Sequence, residues 1–440
     1  ESNHCMDLMG LDEQAGIKAA VDWLGSQSWS NGKVAAIGKS YDGSTPWNAA
    51  ASGSEYLATI VPMSGLIGVH ELMWRNGSME ARGAIMHNGV YGSFGLDGDG
   101  GDAENACEGY MEGYYAGVAA YLSGDNLAWT GSDYWEERYF LDRALDVYNG
   151  SIYIIHGMQD WNVDPHQVFG GPVGVNWYQE YIDNGYEVAG MIGQWEHNYP
   201  DQWTKHNNQD SGYGGEAIHN MTRWDWAQDL FEWMEYYLKG IGPAPALHAQ
   251  VQRNDGEWRI EETWPPSDVE RMSLDMSECS NDGAFLGGGA PVVGGGQVVT
   301  VECPAMSNFD LHIAGLVSLH LQAVPTFDGG QVFIEMQDAE TGLRLGHATM
   351  DIRYHAGGYD AQTVIPGVAV TMMMEFQAID AILPAGHGLL FIMSDQWEDY
   401  LAPACGNACT VHVLPSSSTL ELPIIDRDGS NVLITPQPSQ

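Results

Sequence analysis

Val34-Ala35-Ala36-Ile37-Gly38-Lys39-Ser40-Tyr41-Asp42-Gly43 is the stretch that decides the fold. Four apolar residues end at a glycine, and a serine stands two positions later. A second glycine follows, and the small-residue run Ala49-Ala50-Ala51 then suits a packed helix. Strand, sharp turn and helix in this order are the setting of a nucleophile elbow, which holds a serine Oγ at the mouth of a sheet. Gly38 and Gly43 carry no Cβ, so the chain can reverse there without a clash. The N-terminus of the helix offers unbonded N–H groups, which suit the oxyanion that serine attack creates. The second glycine comes three residues after the serine rather than two. The strict G-x-S-x-G spacing is therefore missed, and the segment alone also reads as an ordinary glycine–serine turn.

Two later segments decide between these readings. Ser151-Ile152-Tyr153-Ile154-Ile155 has the composition of a buried parallel strand, and it runs into His156-Gly157-Met158-Gln159-Asp160-Trp161-Asn162-Val163. A carboxylate just past the carboxyl end of such a strand lies where open α/β sheets do chemistry, which makes Asp160 the candidate orienting acid. An N-cap or turn aspartate is the plainer reading, and Asp164 is the alternative acid. Glu187-Val188-Ala189-Gly190-Met191-Ile192 reads as a further strand, and His197 falls in the loop after it. The chain order Ser40, Asp160, His197 is that of α/β-hydrolases. With 15 histidines in the chain, His156, His166 and His206 compete for the role. His156, at a strand end, reads as a packed, hydrogen-bonded residue.

On these residues the chain resembles the bacterial Xaa-Pro dipeptidyl-peptidases (serine peptidase family S15), and with them the cocaine-esterase-like acyl hydrolases and α-amino-acid ester hydrolases. The resemblance rests on Gly38-Lys39-Ser40-Tyr41-Asp42-Gly43, on His156 to Val163, and on Gly193-Gln194-Trp195-Glu196-His197. Tyr134-Trp135-Glu136-Glu137-Arg138 is similar to the family's cap exit, and the segment from Phe231 to Gly240 to its last catalytic helix. The segment from Val251 through Trp258-Arg259 to Trp264-Pro265-Pro266 is similar to the entry to its C-terminal sandwich. The fold so implied is an α/β hydrolase with an inserted helical cap and a C-terminal jelly-roll β-sandwich. The family's first strands, and a tyrosine that supplies its second oxyanion donor, have no counterpart, so the chain is read as N-terminally truncated. The backbone N–H of Tyr41 is the oxyanion donor that can be named.

The chain has 440 residues, enough for two or three domains. Its formal net charge of −43 argues against a nucleic-acid partner and against anionic membrane surfaces. A salt-adapted or secreted protein kept soluble by self-repulsion fits that charge, as does an acidic funnel for cationic peptides. No apolar run is long enough to cross a membrane as a helix. The six cysteines lack zinc-finger spacing. Cys279 with Cys303 and Cys405 with Cys409 are candidate disulfides, and an even count tilts the location towards an oxidising, extracellular compartment; a salt-adapted cytoplasm and buried free thiols are the alternatives.

Residues 1–66 and 146–242 carry the α/β pattern, with strands expected at 33–37, 57–62, 151–155 and 187–192. Helices are expected at 12–24, after Ser44, and at 221–238. In the first of these Ala15, Ala19, Ala20, Val21 and Leu24 fall at helical spacing; in the last Ala227, Leu230, Phe231, Met234 and Leu238 share a face. Gly240 stands where a C′ residue belongs. Residues 67–145 read as a cap inserted over the pocket, with helical stretches at 108–122 and 133–147. Its acidic loop, Asp97-Gly-Asp99-Gly-Gly-Asp102 with Glu108, fails the calcium pattern at its fifth and sixth positions and reads as solvated. From residue 243 to 440 short alternating runs at 311–313, 317–323, 331–336, 364–376, 388–393 and 410–414 suggest the sandwich. The triplets Gly287-Gly288-Gly289 and Gly294-Gly295-Gly296 read as flexible connectors.

The function these readings imply is acyl transfer: Ser40 attacks, His197 moves the proton, Asp160 fixes the histidine tautomer, and water releases the acyl group. The expected substrate is a peptide with proline second, with Tyr41, Trp161 and Val163 as an apolar pocket and Glu71 or Glu80 anchoring the free amine. An acyl ester or α-amino-acid ester is the alternative substrate, and a non-catalytic carbohydrate- or surface-binding protein the alternative class. No cofactor and no metal are called for, and a homodimer is the assembly left open.

Overall fold

The computed structural model describes residues 9–65, 68, 70, 74–79, 136–170, 175–202, 222–281, 291–358, 360–397 and 408–427. Helix α1 (Leu11–Ser26) leads to strand β1 (Val34–Lys39), and after Ser40 the chain enters helix α2 (Tyr41–Ala51). Strand β2 (Leu57–Met63) follows, then a short hairpin of β3 (Trp74–Arg75) and β4 (Ser78–Met79). Helix α3 (Leu141–Val147) precedes β5 (Ser151–Gly157). A single turn, α4 (His166–Phe169), and α5 (Trp177–Asp183) connect to β6 (Val188–Gly193). Beyond α6 (Trp226–Met234) come β7 (Ala249–Gln252) and β8 (Trp258–Glu261). These strands form one sheet in the order β1-β2-β5-β6-β7-β8, parallel through β7, with β8 antiparallel at the end. Every residue of β5 and β6 is buried, as expected of strands covered on both faces. All four sequence-predicted strands form, each starting within a residue of its expected position and ending one or two residues later.

The positions of β7 and β8 correct the expected domain boundary. The resemblance makes this segment the entry to the sandwich, but its backbone pairs with β6 and extends the first sheet. The sandwich therefore starts after residue 261 rather than at 243. It consists of β9 (Glu270–Asp275), β10 (Ser280–Asn281), β11 (Val292–Val293), β12 (Val299–Cys303), β13 (Leu311–Pro325), β14 (Gln331–Asp338), β15 (Arg344–Asp351), β16 (Val370–Leu383), β17 (Leu389–Ser394), β18 (Val411–Val413) and β19 (Thr419–Ile425). Two antiparallel sheets, β10-β12-β17-β14-β15 and β11-β18-β13-β19-β9 with β16 on β13, enclose a shared apolar core. The two runs expected at 311–313 and 317–323 are one strand, whose register shifts between Leu316 and Ser318. Strands β9, β10, β11, β12, β15 and β19 were not anticipated, and the run expected at 364–376 becomes a strand only at Val370 and continues to Leu383. Gly294, Gly295 and Gly296 all take positive φ in a tight turn bridged from Gly294 to Gln297, not a loose connector.

The two expected helix faces also need correction. On α1 the inward residues are Val21 and Gly25, with Ile17 packed on the core, while Ala15, Ala19, Ala20 and Leu24 are exposed. On α6 the inward stripe is Trp226, Leu230, Trp233 and Met234, and Phe231 and Ala227 face out. The segment Glu235–Lys239 continues as a π-helix and ends at Gly240, φ 68°, as its placement suggested. The two units are stitched together by Asp380 of β16, which is fully buried. It accepts from Arg259 of β8 at 2.6 Å, from Trp264 Nε1 at 3.2 Å and from His312 Nε2 at 2.8 Å.

Cys279 and Cys303 form a disulfide between the start of β10 and the end of β12, as expected. Cys409 is disulfide-bonded, while Cys5, Cys107 and Cys405 lie outside the described residues. No helix among the described residues is long and apolar enough to cross a membrane.

Candidate active site

Ser40 sits between β1 and α2 with φ 64° and ψ −126°, a strained conformation for a residue with a side chain. The neighbouring glycines explain how the turn closes. A Cβ on Gly38 would lie 2.1 Å from Asp42 O, and one on Gly43 would lie 2.4 Å from Met63 O. The serine is anchored through its backbone, whose N–H donates to Met63 O at 3.0 Å. It occupies the N-cap position of α2, where serine ordinarily bonds a free N–H of the first turn, but its Oγ makes no such bond. The residue stands at the carboxyl end of β1, directly before the first residue of α2, Tyr41.

Asp160 follows β5 and is fully buried. Its Oδ1 accepts from the N–H groups of Asn162 at 3.1 Å and Val163 at 2.9 Å. Its Oδ2 accepts from His197 Nδ1 at 2.9 Å. An ionised carboxylate can only accept, so the proton of that bond belongs to Nδ1, and Nε2 is left as the basic nitrogen. Burial pushes the Asp160 carboxyl up, but the charge and hydrogen bond of His197, with His156 and the Val163 N–H, outweigh it and hold the group below the ordinary carboxylate range. His197 is about one-fifth exposed, so a substrate can reach it. His156 is buried, with Nε2 on Val163 O at 2.8 Å, and burial lowers its pKa; it is the packed residue its position suggested.

The structure thus brings together Asp160 and His197, and sets the Ser40 elbow at the same edge of the sheet. Among the described residues the serine side chain makes no hydrogen bond. The link between elbow and histidine runs instead through the preceding residue: Lys39 Nζ donates to His197 O at 3.1 Å. Asp164, the alternative acid, is turned away. It is buried, pairs with Arg75 of β3 at 3.0 Å and accepts from Gln377 of β16 at 2.5 Å.

The expected pocket is only partly assembled. Val163 points into the hydrophobic core, 1% exposed, so its side chain lines nothing. The Tyr41 hydroxyl is engaged by α1, donating to Glu13 Oε2 at 2.6 Å and accepting from Met9 N at 2.9 Å. Trp161 meets His347 of β15 edge-on at 4.6 Å, with the Arg344 guanidinium over its ring at 4.7 Å. Glu71, Glu80, His206, the side chain of His166, the acidic loop at 97–108 and most of the 67–145 insertion lie outside the described residues. Sequence reasoning missed three features here: Lys39, the Arg75–Asp164 pair, and the amide chain Gln159–Gln194–Gln252 beneath the site. Lysine is scarce in this chain, with five residues in all, and its place beside the candidate nucleophile was the available signal.

A largely parallel sheet, a strained serine turn, and a hydrogen-bonded aspartate and histidine after successive strands are the layout of the α/β-hydrolase fold. The chain is similar to the X-Pro dipeptidyl-peptidases (S15 family), a group of serine-type hydrolases. The profile of that family matches residues 1–199, just under half of the chain, a span that includes Ser40, Asp160 and His197. A Streptomyces avermitilis protein named as an Xaa-Pro dipeptidyl-peptidase is 23% identical over 91% of this chain and 66% of its own length. A Bacillus cereus protein of the same name is 23% identical over 97% of this chain and 73% of its own length. The chain thus spans two thirds to three quarters of these relatives. Among solved structures, an aminopeptidase from a marine sediment Thaumarchaeota archaeon has a TM-score of 0.67 at 15% identity, covering 95% of this chain and 80% of that one. A CocE/NonD family hydrolase from Staphylococcus aureus has a TM-score of 0.66 at 12% identity, covering 95% and 77%. An α-amino-acid ester hydrolase has a TM-score of 0.63 at 15% identity, covering 92% and 79%. At such identities the likeness is one of fold.

Proposed function

We propose that this protein is a serine hydrolase with a Ser40–His197–Asp160 triad, releasing Xaa-Pro dipeptides from the N-termini of peptides. The observation that carries the proposal is the 2.9 Å bond from His197 Nδ1 to the buried Asp160, at the edge of the sheet where the strained Ser40 turn stands. In this reading Ser40 Oγ attacks the proline's own carbonyl while His197 Nε2 takes its proton. The oxygen becomes an oxyanion beside the Tyr41 N–H at the start of α2. His197 then returns the proton to the leaving amine as the C–N bond breaks. Water, deprotonated by the same nitrogen, releases the dipeptide from the acyl-enzyme.

The names of the two curated relatives support the peptide substrate over an ester. The remaining assignments are proposals of the same kind: residues 67–145 form a cap, the β-sandwich is a jelly roll that walls one side of the site, Trp161 borders the proline pocket, and Glu71 or Glu80 holds the free amine. A secreted location is supported by the Cys279–Cys303 disulfide.

The test is a pair of rates, on a Gly-Pro-anilide and on a simple aryl ester, with wild type and Ser40→Ala. Faster turnover of the anilide, abolished by the substitution, is expected. Turnover of the ester alone transfers the protein to the ester hydrolases, and a Ser40→Ala variant with more than about a tenth of the wild-type rate refutes the nucleophile.

A further inference from the structure

Lys39 is fixed at a point where a flexible, strongly hydrated side chain has little reason to be unless it does something there. It is the last residue of β1, directly before the candidate nucleophile. Its ammonium is drawn in from solvent: burial lowers its pKa, opposed by the negative charge of Asp160. The ammonium donates to His197 O at 3.1 Å and lies 5.6 Å from the centre of the Tyr199 ring, within cation–π range. Tyr199 in turn stacks on Trp226 of α6 at 5.7 Å.

These contacts matter because of what else holds the histidine. The loop after β6 carries His197 out over the site. The side chain is held by the Asp160 bond, and the backbone makes a local turn from Asn198 N to Glu196 O. Neither contact refers the imidazole to Ser40. Lys39 does, because its own backbone is continuous with the serine and its head group ends on the carbonyl of the histidine. The lysine therefore ties the elbow directly to the base loop, in addition to the sheet and the buried amides beneath that loop.

We infer that Lys39 is a positioning residue that holds the His197 loop in register with the nucleophile elbow. It touches neither substrate nor the reacting atoms. This rests on the triad reading, and its consequences divide into one that needs activity and one that does not. Loss of the tether lets the base drift from the serine, and a misplacement of about 1 Å costs on the order of 10²-fold in rate. The same drift loosens the His197–Asp160 bond and speeds solvent exchange of its proton, whether or not the serine is a nucleophile.

The experiment compares wild type, Lys39→Met and Lys39→Arg in the full chain. Lys39→Met keeps the stem but removes the donor and the charge; Lys39→Arg keeps both. The readouts are kcat and KM on the better substrate, the rate of fluorophosphonate labelling, the exchange of the His197 Nδ1 proton by NMR, and the melting temperature. For Lys39→Met a loss of about 10- to 100-fold in kcat and in labelling rate is expected, with KM within about twofold and faster exchange of the Nδ1 proton. Lys39→Arg should recover most of the loss, and both melting temperatures should stay within about 2–4 °C of wild type. If wild type neither turns over nor labels, the hydrolase reading fails, and faster proton exchange in Lys39→Met alone still upholds the tether. An unchanged proton in Lys39→Met overturns the inference, even if the rate falls, because the lysine then acts by a route other than His197. Failure of Lys39→Arg to recover either readout overturns it as well.

Discussion

The elbow geometry makes Gly38→Ala the most informative single substitution. The added Cβ would stand 2.1 Å from Asp42 O, 2.5 Å from Asp42 C and 2.8 Å from Asp42 Cβ. Ordinary contact begins at 3.4 Å, so a shift of about 1 Å is required, and two of the three atoms met are backbone. No flexible side chain can absorb it. Either the end of β1 withdraws or the first turn of α2 is pushed away, and Ser40 lies between them. Overpacking of this kind costs about 1–3 kcal/mol of stability. Its effect on rate is larger in proportion, since a 1 Å error in the position of a reacting group costs on the order of 10²-fold. The control is Gly16→Ala on α1, where nothing lies within 4 Å of the new methyl group. In that helix the change should stabilise by up to about 1 kcal/mol and leave the rate alone. The assay is kcat/KM on an aryl ester or anilide, normalised to the fraction of protein that labels, beside thermal melts of both variants. Gly38→Ala should lose about 100-fold or more per labelled site. If it retains more than about a tenth of the wild-type rate, worth only about 1.4 kcal/mol, the turn does not set the nucleophile and the reasoning fails.

Four other outcomes are expected. Asp160→Asn should cost roughly 10⁴ in kcat with the fold retained, because the Nδ1 proton loses its acceptor and the imidazole takes the wrong tautomer; a loss below tenfold refutes the acid. Asp164→Asn should lower stability by about 3 kcal/mol, since Arg75 stays buried without its counter-charge, yet leave kcat of the folded enzyme within about tenfold; a rate collapse with normal stability moves the acid to Asp164. His156 is held below its ordinary 6.5, so the unfolded chain takes up that proton first. Its stabilising contribution is complete above about pH 6.5 and is lost as the pH falls towards the folded value, while that of Asp160 is complete above about pH 3.9 and is lost lower still. Melting temperature should thus begin to fall below about pH 6.5, less steeply in His156→Gln, and a curve flat from about pH 7 to 5 contradicts this. With a net charge of −43, self-repulsion should be screened by NaCl and the melting temperature should rise with salt; a steady decrease refutes it.

What was legible in the sequence was what short-range chemistry dictates. Gly38 and Gly43 had to be glycine for the turn to close, so the elbow could be read, and β5 and β6 announced themselves as apolar runs buried on both faces. The Asp160–His197 pair was legible because each residue stands in the loop directly after its strand. What failed depended on distant partners. Strands β7 and β8 have the local pattern of any hairpin, and only β6 tells the chain which sheet they join. The face of α6 was misjudged because Trp226 and Trp233 reach further inward than Ala227 and Phe231. Val163 was placed in the pocket by its nearness to Asp160, but the turn that bonds its N–H to that carboxylate sends its side chain into the core.

The same long-range contacts show why the sandwich belongs to the site. The residue before the acid, Gln159, donates to Gln194 Oε1 at 3.2 Å in the loop that carries the base. Gln194 Nε2 donates to Gln252 O of β7 at 2.8 Å and to Asp380 O of β16 at 3.2 Å, while Gln252 Oε1 accepts from Gln194 N at 3.0 Å. Acid loop, base loop, last parallel strand and sandwich are therefore joined by one buried amide network. Trp161 and Asp164, on the far side of the acid, rest on His347 and Gln377 of the same sandwich. A buried polar network rewards a single arrangement and penalises every partial one, because each unmade bond leaves a desolvated group. The loops that hold Asp160 and His197 are thus fixed from below by the α/β sheet and from the side by β15 and β16. In this protein the second unit is part of what holds the Asp160 and His197 loops of the first in place.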